Sequence, residues 1–67
     1  MRQKWRISGA NTLTGITVYS QEEFDNCPSA KTFLFALHSK FPNWIFVATE
    51  SENIVGAKIV VDILSWL

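Results

Sequence analysis

The sequence predicts a small α+β fold, a two-layer sandwich in which one main helix packs on a small antiparallel sheet, in the order β-β-α-β-β. Three observations carry this reading. Two N-terminal runs alternate apolar and polar residues with the period of a half-buried strand. The central stretch repeats its apolar residues at helical spacing. Residues 44–49 are dense in β-branched and aromatic side chains, the composition of a strand. A chain of 67 residues allows one domain, residues 1–67.

In residues 3–8, Trp5 and Ile7 point one way, Lys4 and Arg6 the other. Residues 9–15 form a polar connection with a glycine at each end, and Ile16 and Val18 then alternate with Thr17 and Tyr19. Two such runs across a short Gly-bounded loop read as an antiparallel hairpin. Ser20 and Glu23 fit a capping box. With Glu22 and Asp25 nearby, 21–26 reads as a short helical turn that Pro28 interrupts. The main helix starts at Pro28, since proline is tolerated at the first helical position. Its apolar stripe is Ala30, Phe33, Leu34, Leu37 and Phe41, and Pro42 ends it. Strand 44–49 is apolar on both faces, and 50–56 is a connection. Residues 57–67 read as a strand with Ala57, Ile59, Val61 and Ile63 on one face; the alternative is a helix with Lys58, Asp62 and Ser65 as its polar stripe, giving β-β-α-β-α. The expected core joins Trp5, Ile7, Ile16 and Val18 to Phe33, Leu34, Leu37 and Phe41.

A domain of this size buries only about 60% of the surface its unfolded chain exposes, and small folds of this kind usually need a staple. Cys27 is the single cysteine, so no disulfide forms within the chain. One cysteine and one histidine, His38, do not supply a four-ligand zinc site. No metal and no cofactor are expected. What remains is a dense apolar core or association with another chain. The apolar fraction is 48%, and nine residues are aromatic, more than one small monomer readily buries. The lone cysteine points to a reducing, cytoplasmic compartment. No apolar run is long enough for a signal peptide or a membrane span.

Catalysis has little to stand on. Cys27 precedes a helix start, but a single helix over 28–41 would hold it about 16 Å from His38, too far for a hydrogen-bonded pair. Glu22, Glu23 and Asp25 lack the spacing of a calcium loop, and there is no phosphate loop or nucleophile elbow. The chain is therefore expected to bind rather than to catalyse.

One helix covers one face of a small sheet and leaves the other bare. Because 44–49 is apolar on both faces, something apolar must point away from the helix: Trp44 and Phe46, or alternatively Ile45 and Val47. With Lys4, Arg6 and Tyr19 at its flank, this surface reads as the contact site for another protein or a second copy of the chain. The ββαβ order and the size resemble those of small phage proteins that inhibit host enzymes by docking on them, a likeness of architecture with no motif behind it. An inhibitor, an adaptor or a subunit would all fit. The competing reading uses Arg2, Lys4, Arg6 and Tyr19 as a basic, aromatic sheet face for nucleic acid, though the net charge of zero does not favour it.

Overall fold

The hairpin forms as expected but in a longer first strand, in a computed structural model that describes residues 4–53, 56 and 59–67. Strand β1 is Trp5–Asn11 and β2 is Thr17–Ser20, paired antiparallel with Ser8 opposite Tyr19. Gly9 belongs to the strand, and the turn starts only at Asn11. The Asn11 side-chain oxygen accepts from the amides of Leu13 and Thr14, both at 2.9 Å, and Gly15 takes a φ of 76° that glycine adopts without strain. Ile16 therefore precedes the strand. It is 48% exposed and is not part of the core.

Residues 21–26 are not a helical turn. Trp5 and Phe24 exchange both backbone hydrogen bonds, at 2.8 and 2.7 Å, so the chain stays extended beside β1. Ser20 does not cap a helix either. Fully buried at the end of β2, its Oγ accepts from the Ile7 amide and donates to the Glu22 carbonyl. The N-cap is Asn26, whose side chain accepts from the Ser29 amide at 2.8 Å, with Pro28 in the first turn.

The main helix is one helical stretch in two pieces, α1 (Cys27–Lys31) and α2 (Leu34–Lys40). The break falls at Thr32 and Phe33. There the Thr32 hydroxyl donates to the Pro28 carbonyl, and the Phe33 amide reaches the Ala30 carbonyl three residues back. Such local bonds compete with the regular helical ladder. Phe41, the residue before Pro42, leaves helical angles and ends α2.

Strand β3 (Trp44–Glu50) pairs antiparallel with β1 along its whole length, with Gly9 opposite Phe46. After a 3-10 turn at Ser51–Asn53, the chain passes from this edge of the sheet to the other. There β4 (Ile59–Val61) lies beside β2, and a 3-10 turn follows at Ile63–Trp66. The strand reading of 57–67 thus applies to Ile59–Val61, while Ala57 and Lys58 lie outside the described residues. The strand order is β3-β1-β2-β4, and β4 runs parallel to β2, so the sheet is mixed rather than wholly antiparallel. Alternation in sequence reports which face a residue takes, not the direction in which its strand runs.

The result is a small two-layer α+β fold. Ala30 from α1, Leu37 from α2 and Ile63 from the C-terminal turn bury against Ile7, Val18 and Phe46 on one face of the sheet. Trp5, Phe33, Leu34 and Phe41 pack around this cluster, as expected, and Trp44 and Trp66 join them. No helix among the described residues is long and apolar enough to cross a membrane.

Candidate interaction face

Strand register sorts the side chains into two faces. Residues opposite one another share a face, and successive residues alternate. Ile7, Gly9, Val18, Phe46 and Ala48 point toward the helices. Arg6, Ser8 and Ala10 of β1, Tyr19 of β2, and Ile45 and Val47 of β3 point away from them.

This register decides which pair of β3 faces outward. Phe46 is 1% exposed beneath the helices, so it is not presented on the outward face. Trp44 also lies on the helix side. Its ring stacks on Phe46 with centroids 6.1 Å apart and meets Trp66 edge to face at 5.3 Å. With Phe41, these two tryptophans line an open aromatic cleft of about 300 Å³. The outward pair is Ile45 and Val47, 56% and 49% exposed. Val60, opposite Tyr19 on β4, lies on the same face at the other edge of the sheet and is 42% exposed.

The two cations assigned to the flank are engaged within the chain. Lys4 pairs with Asp25. Arg6 donates from Nη1 to the Ser20 carbonyl at 2.6 Å and lies 3.7 Å from the Glu23 carboxylate. Its side chain is only 17% exposed, and Nε is buried with no hydrogen-bond partner among the described residues. Ser8 beside it is buried too and donates to the Thr49 hydroxyl at 2.8 Å. The face is therefore closed at the Arg6 end and open along β3 at Ile45 and Val47. Arg2 lies outside the described residues.

The acidic trio does not gather into one site. Glu23 faces Arg6 and Asp25 faces Lys4. Burial pushes the Glu22 carboxyl above its ordinary value of 4.5; a hydrogen bond and the negative charge of Asp62 add to this, and the Arg6 charge opposes it. Among the described residues no three His, Cys, Asp or Glu side chains come together in a way that could hold a metal ion.

Cys27 opens α1, half-buried and free. His38 is held elsewhere, at the free edge of β3. Its Nε2 lies 3.1 Å from the Phe46 amide nitrogen and 3.0 Å from the Phe46 carbonyl oxygen. No sequence signal marked this role, because it depends on how α2 lies against β3. Comparison with known protein families, with curated proteins and with solved structures finds no match to this chain.

Proposed function

We propose that this chain is a protein-interaction module, an inhibitor, adaptor or subunit that docks on another protein through the outward face of β3. One observation carries the reading. Ile45 and Val47 stand about half exposed, side by side along one strand, on the sheet face opposite the helices. Adjacent apolar side chains on an open sheet surface are the material of an interface centre, whereas isolated ones are ordinary. The engaged state of Lys4 and Arg6 counts against nucleic acid as the partner, since phosphate contacts need cations free to make them. A reducing, cytoplasmic setting suits the free thiol of Cys27.

The test is affinity capture from lysate of the native host, with and without nuclease, comparing the parent with Ile45→Asp and Val47→Asp. A protein retained by the parent through nuclease and moderate salt, and lost with both variants, supports the reading. Release by nuclease with a steep salt dependence would assign the surface to nucleic acid instead. Retention of the same protein by both variants would move the contact off this face.

A further inference from the structure

Strand β3 is an edge strand of seven residues, and a bare edge of that length is a template for pairing with another chain. Its backbone groups alternate in direction. The Phe46 amide meets His38, so Trp44, Phe46, Ala48 and Glu50 present their N–H and C=O groups to the free edge, while Ile45, Val47 and Thr49 bond to β1. The Trp44 amide is taken by the Phe41 carbonyl at 3.1 Å. Among the described residues nothing takes the outward groups of Ala48.

In an antiparallel sheet, a residue on the next strand would exchange two hydrogen bonds with Phe46. Nε2 of His38 lies within hydrogen-bonding distance of both groups that exchange would use. With its ring proton on Nδ1, the imidazole accepts from the Phe46 amide at Nε2 and fills the place of the missing strand.

We propose that His38 guards the β3 edge, and that the chain it holds off is a second copy of β3 pairing antiparallel across a two-fold axis. The segment suits such self-pairing. It is rich in β-branched and aromatic residues, and its one charge, Glu50, stands at its end. In an antiparallel pair centred on Val47, each Glu50 faces the other copy's Trp44, so no like charges meet. Ile45 and Val47 of the two copies would then form a continuous apolar row. This surface is the strand's edge rather than its face, and the inference stands apart from the docking reading.

Sedimentation across a concentration series tests it. His38→Ala opens the edge and is expected to strengthen self-association by roughly tenfold over the parent, the worth of about one hydrogen bond no longer held within the monomer. His38→Gln keeps one donor and one acceptor at similar reach and should restore the parent's behaviour. Adding Ala48→Pro to His38→Ala removes an outward N–H, which an edge strand tolerates, and should abolish the new association. Association of His38→Ala no stronger than the parent's overturns the proposal, and so does association that Ala48→Pro leaves intact. Hydrogen exchange on the parent monomer decides the matter if His38→Ala does not fold. A protected Phe46 amide beside a fast-exchanging Ala48 amide supports the guard; equal protection of the two refutes it.

Discussion

At Gly9 the sheet and the core constrain each other directly, and Gly9→Ala tests that constraint. A Cβ at residue 9 would lie 2.8 Å from Cε1 and 3.0 Å from Cδ1 of Phe46. The ring would have to retreat from 2.8 Å to the 3.4 Å at which ordinary contact begins. It has little room to do so. Phe46 is 1% exposed, with Trp44, Phe41, Trp66 and His38 all between 5.8 and 6.5 Å from it, centroid to centroid. Overpacking of this kind costs about 1–3 kcal/mol. Replacing a strand glycine recovers roughly 0.5–1 kcal/mol through the lower entropy of the unfolded chain. Subtracting leaves a loss of about 0–2.5 kcal/mol, and the crowding around the ring places it in the upper half of that range, out of the roughly 3–10 kcal/mol usual for a chain of this length. Urea unfolding should show a lower midpoint with an unchanged slope. A Gly9→Ala protein as stable as the parent would refute the reasoning. The coupling has its own check: in a Phe46→Leu background, where the ring is gone, Gly9→Ala should cost much less.

Leu37 is fully buried between α2 and the sheet, so Leu37→Ala should cost about 2–5 kcal/mol by thermal or urea unfolding; an unchanged melting temperature would misplace the helix face. Asn26→Ala removes the side-chain cap of α1 and should lose roughly 0.5–2 kcal/mol on the same measurement. The Glu22 carboxyl is raised in the folded state, so its contribution to stability is full below its ordinary value of 4.5 and is lost as pH rises through the folded value. Glu22→Gln should therefore gain on the parent as pH climbs from 4 to 7, and a difference in unfolding free energy that is flat across that range would contradict the assignment. Cys27→Ala should fold and retain whatever partner the parent captures, since the thiol is half-buried and has no part in the proposed contact; loss of capture by a folded Cys27→Ala protein would reopen its role.

Local pattern along the chain was enough for the two-layer α+β class, most of the elements and half of the fully buried core: Ile7, Val18 and Leu37 were expected there, whereas Ala30, Phe46 and Ile63 were not. Period-2 alternation placed Ile7 and Val18 inward, helical spacing placed Leu37, and the β-branched run placed β3 to within a residue. These are signals of local periodicity, and burial enforces them directly. Tertiary structure decided the rest. Gly9 reads as a loop residue, yet it is strand, because the Phe46 ring needs a position without a side chain opposite it. Ser20 and Glu23 match a capping box, yet the pairing of Trp5 with Phe24 keeps that segment extended, and the buried Ser20 hydroxyl serves the Ile7 amide. On β3, alternation demanded that one pair face outward without saying which. The register against β1 and the position of the helices turned Phe46 in and Ile45 and Val47 out. Lys4 and Arg6 looked like free cations, and their partners Asp25 and Glu23 come from the extended segment that sequence alone reads as helical. His38 at the edge of β3 depends on two elements meeting in space, and no spacing along the chain encodes that meeting.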